Sequence, residues 1–416
     1  MTSPSRVRLP FEVWALVAGG FAVALGYGVV APAIPQFALE FGVSNFAASA
    51  IVSAFALMRL VGAPLAGWIV SRFGERTTYT VGILIVALST GVSALAANYP
   101  QFLVLRGAGG VGSAMFTVAA TALIAKVSPV EARGRVASLN AAGFLLGGLL
   151  GPVLGGVVAV FGIRAPFVFY FLTLVAAATV VAIALRGSQA AAAPGSDRAR
   201  AAGSGSGSAA GPSAETMDLR EALRVPQYRS LLFSAFGFGW ASFGVRISLV
   251  PILVAVAFDG DATVAAWVLA AYAAGNAVLI FPSGRWNDRI GRKPLLVIGM
   301  AVLALSYIAI PAAPSIWVLA AVMVVAGAGS ALANPGQQAV LADVLARRRG
   351  GNVVAAYSMT SDLGGMLGPA IAGAVLDLAG FGWAFGITAV LLALAMVAWL
   401  LVPDSRRLSA GPLETR

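Results

Sequence analysis

Apolar runs of about 20 residues recur along nearly the whole chain, each long enough to cross a bilayer as a helix. They begin near Phe11, Phe46, Thr77, Gln101, Val136, Ala165, Ser230, Thr263, Pro294, Ser315, Asn352 and Gly382, which predicts twelve spans. Lipid offers no partner to an open backbone, so the expected fold class is an all-α polytopic membrane protein. Composition agrees: 59% of residues are hydrophobic and 10% are charged, against about 25% charged in an ordinary soluble domain. The first run follows Arg6 and Arg8, as a signal peptide would. Its length, from Phe11 to Val30, and the spans behind it favour a retained helix.

The same composition removes several kinds of chemistry. The chain has no cysteine and no histidine. Disulfide frameworks, thiolate or imidazole metal sites and Ser-His or Cys-His catalytic pairs are therefore excluded. Its lysines are Lys126 and Lys293, and neither lies in a G-x-x-x-x-G-K-[ST] loop, so the chain carries no P-loop ATPase. No cofactor and no metal are expected.

The net charge of +11 is explained by placement. With both termini on the cytoplasmic side, all but four of the 27 Lys and Arg residues fall in tails and inner loops. Arg164 is the outer exception, and Arg59, Arg106 and Arg246 lie within spans. This is the positive-inside bias, so the basic residues report topology and anionic lipid rather than nucleic acid. Arginine far outnumbers lysine and alanine and glycine abound, which suggests a GC-rich bacterial genome and the bacterial cytoplasmic membrane.

An Ala-, Gly- and Ser-rich stretch from Gly187 to Ala214 reads as a flexible linker. The expected domains are 1–186, a six-helix bundle, 187–229, a cytoplasmic linker, and 230–416, a second six-helix bundle. Within the linker, Asp218 can cap a short helix over Met217–Arg229 that lies on the membrane surface or simply leads into the seventh span.

The two halves repeat in one gap-free register, the one that carries Gly67 onto Gly284. Gly67-Trp-Ile-Val-Ser71-Arg72-Phe-Gly74-Glu-Arg76 meets Gly284-Arg-Trp-Asn-Asp288-Arg289-Ile-Gly291-Arg292-Lys293. Gly110-Val-Gly112-Ser-Ala meets Gly327-Ala-Gly329-Ser-Ala. Gly147-x-x-x-Gly151-Pro152 meets Gly364-x-x-x-Gly368-Pro369. An even number of spans per repeat gives both halves the same orientation, related by an axis along the membrane normal. The expected architecture is two pseudo-symmetric six-helix bundles around a midplane cavity.

At these landmarks the sequence resembles the major facilitator superfamily, most of all its twelve-helix drug or metabolite:proton antiporter branch. Gly284 to Lys293 fits the family loop G-x-x-x-D-R-x-G-R-K. The first copy departs from it, with Ser71 for the aspartate and Glu75-Arg76 for the basic pair. The resemblance makes Gly67, Ser71, Arg72, Gly74, Gly284, Asp288, Arg289, Gly291, Arg292 and Lys293 a conformational latch; a plain topogenic basic loop is the alternative. Arg106-Gly-Ala-Gly109-Gly110-Val-Gly112 resembles R-x-x-Q-G-x-G with Gly109 for the glutamine, and the family associates this arginine with proton coupling. Reaching outward to the membrane interface is the alternative for Arg106.

Gly143, Gly147, Gly151 and Gly155 recur every fourth residue, with Pro152 and Gly156 beside them. They make a flat face for close backbone approach. This resembles the family's antiporter motif, and Gly364, Gly368 and Pro369 repeat it less completely.

Intramembrane ionisable groups are functional candidates by default. Arg59 lies about 18 Å along its helix from Ser71, and Asp362 lies roughly 15 Å into the eleventh span. Asp362 is the expected proton carrier, with Arg59 or Arg106 tuning it; a static salt bridge between the halves is the alternative. Arg246 is a candidate for an outer gate. Asn140, Asn276, Tyr272, Trp240, Phe243 and Tyr357 are candidate cavity-wall residues. The expected function is export of small amphipathic organic molecules by proton antiport, in a monomer whose partners are substrate, protons and membrane lipid. An importer or uniporter of sugars or organic acids is the alternative, with an integral-membrane enzyme behind it.

Overall fold

The computed structural model describes residues 9–129, 132–186, 216–346, 348 and 350–405, with the side chain of Asp288 left aside. The segment 187–215, which forms most of the expected linker, lies outside the described residues. The described chain is almost wholly helical: α1 Phe11–Val30, α2 Ala33–Leu39, α3 Asn45–Phe73, α4 Glu75–Ser93, α5 Tyr99–Val127, α6 Arg133–Ala159 and α7 Ala165–Ala184. There follow α8 Leu219–Ala222, α9 Pro226–Phe238, α10 Arg246–Phe258, α11 Ala262–Arg289, α12 Arg292–Ala309, α13 Ile316–Leu345, α14 Gly351–Ala379 and α15 Phe381–Leu400. A π-helical turn, Gly239–Val245, joins α9 to α10 within the seventh expected span.

Among the described residues, eleven helices are long and apolar enough to cross a membrane. The third expected span is α4, which starts on Glu75-Arg-Thr-Thr78 and is more polar for that reason. The surface segment near Met217 contracts to the four residues of α8, with Asp218 accepting from the Leu219 amide at 2.8 Å. The chain is thus a multi-pass membrane protein.

Several helix starts are written in the sequence as side-chain caps. Ser44, Asn98, Asp261 and Ser315 accept from the third residue onward at 3.3, 3.0, 3.0 and 3.4 Å. The repeat register carries Ser44 onto Asp261 and Asn98 onto Ser315. Gly74 and Gly291 turn the chain with φ of 82° and 122°, backbone values that other residues rarely adopt.

Helix pairs also repeat. α1 packs on α6 and α7, α3 on α5, and α4 on α5 and α7; later, α9 and the π turn pack on α14, α11 on α13, and α12 on α13 and α15. Small residues make these approaches possible. A Cβ added to Gly82 would sit 2.7 Å from Phe116 N and 2.9 Å from Gly112 O; one added to Gly299 would sit 2.8 Å from Ala333 N and 2.8 Å from Gly329 O. These are the same contacts at matched positions of the two halves. Gly110 likewise presses on the backbone of Phe55 and Arg59, and Gly327 on that of Tyr272 and Asn276.

The most extensive contacts between the first six spans and the rest are α3 with α14 and α6 with α11, with smaller ones from α2 to α10 and α11 and from α3 to α10. The two main contacts lie toward the end of the molecule away from the start of α1, here the distal end. The end carrying the start of α1 is the terminal end.

Replacing Gly82 or Gly299 by valine is expected to cost about 1–3 kcal/mol of stability through overpacking. Gly148→Ala, where nothing lies within 4 Å, is expected to be neutral or slightly stabilising. Thermal melting in detergent micelles checks this, and equal melting shifts for all three would contradict it.

Candidate functional site

Arg59 stands at the middle of α3, and Asp362 is eleven residues into α14. α3 and α14 bring them together, with Arg59 Nη2 3.6 Å from Asp362 Oδ1. The side chains retain 41% and 34% of their exposure, so the pair is open on one side. The two candidates from opposite halves therefore form one ion pair across the interface.

Arg106 does not reach the membrane interface. It is 2% exposed, and its guanidinium lies 5.0 Å from the Phe55 ring centroid. Its Nε and Nη1 are buried without hydrogen-bond partners. The small residues beyond it let α5 lie close to α3, with Gly110 against the Arg59 backbone. Arg246 follows the π turn; its Nε donates to Ser242 O at 3.0 Å and its guanidinium covers the Tyr272 ring at 4.2 Å. Tyr272 in turn donates to Ser242 Oγ at 3.2 Å. An open cleft of about 610 Å³ between Val92, Leu95, Gln101 and Val104 lies on the distal ends of α4 and α5, apart from these charges.

The remaining wall candidates divide. Asn276 is buried and donates to Gly327 O and Ser330 Oγ at 3.4 and 3.3 Å, tying α11 to α13. Trp240 donates its indole N–H to Thr388 Oγ1 at 3.0 Å, against α15. Tyr357 donates to Gln337 Oε1 at 3.1 Å and accepts from Gln338. Phe243 is exposed, and Asn140 is half-buried beside Gly20 of α1.

The glycine stripe of α6 lies along α1. Cβ atoms at Gly147, Gly151 and Gly155 would collide with the Phe21, Leu25 and Val29 carbonyls at 2.5, 2.7 and 2.9 Å, and Gly143 faces Val17. Pro152 sits against Gly28. Gly364 and Gly368 meet the α9–π segment at Phe236 and Trp240, and Pro369 meets Gly244. The last glycines cross between the halves: a Cβ at Gly156 would sit 2.8 Å from Trp267 of α11, and one at Gly373 2.8 Å from Ser49 of α3. These two glycines occupy matched positions in the repeat.

Sequence reading passed over the residue that closes the distal end most firmly. Asp377, near the end of α14, accepts from Asn45 N at 3.1 Å, Asn45 Nδ2 at 2.9 Å and Phe46 N at 2.9 Å. A carboxylate on one half thus occupies the positive N-terminus of a helix on the other. Gln36 adds a bond from α2 to Pro251 O at 3.0 Å. At the terminal end, Gly67 and Gly284 have nothing within 4 Å.

The latch loops touch neighbours in their own half. Arg292 pairs with Asp343 at 3.2 Å, and Asp343 also accepts from Ser405 at 2.7 Å. Lys293 donates to the carbonyls of Leu400 and Val402, at the C-terminal end of α15. Gly291 lies against Asp404, which accepts from Lys293 N at 3.2 Å. In the first copy, Glu75 pairs with Lys126 at 3.3 Å and Arg76 donates to Ala182 O near the end of α7 at 3.2 Å. Glu75 and Lys126 are the counterparts of Arg292 and Asp343, so the pair is kept with its charges exchanged. Ser71 only donates back to Trp68 O, Arg72 and Arg289 are exposed, and Asp288's side chain lies outside the described set. Arg348 grips Glu221 with two bonds of 2.6 and 2.8 Å and thereby holds its carboxyl below the ordinary range.

The chain belongs to the Major Facilitator Superfamily, whose sequence profile matches residues 16–250 and 231–416. It is similar to Multidrug resistance protein 2 of Bacillus subtilis, 34% identical over 169 residues, 40% of this chain and 42% of that one. It is also similar to the quinolone resistance protein NorA of Staphylococcus aureus, 28% identical over 38% and 41% of the two chains. The chain thus spans less than half the length of these curated relatives. Among solved structures it resembles a bacterial homolog of the human lysosomal transporter Spinster in an inward-facing, unoccupied conformation, with a TM-score of 0.74, 18% identity and coverage of 96% and 97%. A D-xylose-proton symporter matches with a TM-score of 0.70 at 18% identity over 95% and 98%. These two likenesses speak for the fold.

Glu75→Lys is expected to lower stability by setting two cations against each other, and Lys126→Glu added to it to restore most of the loss. A double-mutant cycle by thermal melting should give a coupling of about 0.5–3 kcal/mol. Additive losses would show that the pair contributes nothing.

Proposed function

We propose that the protein exports small amphipathic organic molecules by proton antiport with alternating access. Multidrug resistance and quinolone resistance proteins among its relatives support the substrate class. The matched glycine contacts, caps and charge pairs support two pseudo-symmetric six-helix bundles that move against each other. The charge bias supports an orientation with both termini in the cytoplasm. The distal end, held by Asp377, Gly156 and Gly373, is then the outer gate in its closed position, and the site faces the cytoplasm.

The Arg59–Asp362 ion pair carries the proposal. A proton and the Arg59 guanidinium compete for the same carboxylate. With Asp362 ionised, the pair draws α3 and α14 together. A proton arriving from outside neutralises Asp362 and frees Arg59, and the return to the cytoplasmic-facing state releases that proton as the pair reforms. This links proton entry to outward passage of solute. The glycine faces supply the smooth packing along which the helices shift.

Everted membrane vesicles from a host lacking other pumps provide the test. With an imposed proton gradient, the wild type should accumulate an amphipathic dye and Asp362→Asn should not, while the variant should still exchange dye down its own gradient. Full proton-driven uptake by Asp362→Asn would overturn the carrier assignment.

A further inference from the structure

The site's charge balance identifies the sign of the substrate, on the reading that this interior is the transport pathway. Three guanidinium groups, Arg59, Arg106 and Arg246, lie within the membrane-spanning segments, yet among the described residues Asp362 is the one carboxylate in the middle of a span. Asp362 answers Arg59. Arg246 has a carbonyl and an aromatic face but no acid. Arg106 is 2% exposed with Nε and Nη1 unbonded. Buried charge without an opposite partner is costly, and guanidinium donors left empty are the usual means of gripping a carboxylate or sulfonate. The aromatic groups are arranged for the body of such a ligand. Tyr27 and Phe55 rings lie 6.1 Å apart beside Arg106, and Tyr272 lies beneath Arg246.

We infer that the preferred substrates are amphipathic organic anions, held by Arg246 and Arg106 through an acidic group while the aromatic side chains cover the apolar part. An organic cation meets two uncompensated positive charges in this interior and binds weakly until one is removed.

The test uses the purified full-length protein and three probes of one shape: 2-naphthoate, 2-naphthylmethanol and 2-naphthylmethylammonium. Calorimetric titration at pH 7 should show naphthoate binding at least about tenfold more tightly than the ammonium probe. Arg246→Gln should weaken naphthoate binding by roughly tenfold and leave the neutral alcohol unchanged. Should that variant fail to fold, the wild-type ranking decides alone. Ammonium binding equal to or tighter than naphthoate binding overturns the inference, as does naphthoate binding no better than the alcohol. Transport of the same probes into proteoliposomes separates this from the export reading. Naphthoate that binds tightest while none of the three probes is moved leaves the anion preference standing and defeats the carrier function; an ammonium probe that is pumped while naphthoate neither binds nor moves does the reverse.

Discussion

Three guanidinium groups within the membrane-spanning segments, with a single mid-span carboxylate among the described residues to answer one of them, are the constraint to which the rest of the structure answers. Each arginine at such depth costs on the order of 2.5–3.5 kcal/mol to insert. The fold accommodates them by turning each inward: Arg59 to Asp362, Arg106 over Phe55, Arg246 over Tyr272. Helices can close round such groups only if their backbones come near, and glycine provides that nearness. The faces at Gly110 and Gly327 fix the helices bearing Arg59 and Tyr272. The faces at Gly147 and Gly364 fix the helices opposite them.

Duplication gives the molecule matched parts whose chemistry has since diverged. The cap, the glycine contact and the loop turn keep their form from one half to the other. The latch pair keeps its place but reverses its signs, Glu75–Lys126 in one copy and Arg292–Asp343 in the other. Position 59 is an arginine and its counterpart, Asn276, a buried amide that ties α11 to α13. The charged machinery of the interior is therefore asymmetric inside a symmetric frame. An arginine paired across the interface stands on one side, and a buried structural amide takes its place on the other.

The spans, their order and the glycine faces were legible because apolar runs and four-residue spacing are local properties of the chain. Arg59, Arg106, Arg246 and Asp362 stood out because charge within an apolar run is costly wherever it faces. Partnership was less legible. Nothing near Asp377 announces that it caps a helix in the opposite half of the chain, since that contact exists only when the halves meet. The π turn at Gly239–Val245 arises from tertiary packing, with Gly239 pressed on Ser361, and leaves no periodic signature. Trp240 and Tyr357 looked like wall residues by type, yet their polar atoms are committed to Thr388 and Gln337. The exchanged latch pair was within reach of the repeat itself, by asking which charges fall at matched positions.

The central claim is that the contact of α3 with α14 at the distal end must open during transport. Asn45 and Asp377 meet there side chain to side chain, and the chain has no cysteine of its own. An Asn45→Cys, Asp377→Cys double variant therefore allows one disulfide to be formed and reduced at that single place. In proteoliposomes the oxidised protein should cease proton-driven transport and regain it on reduction. Transport at an undiminished rate through the fully oxidised protein would contradict the account.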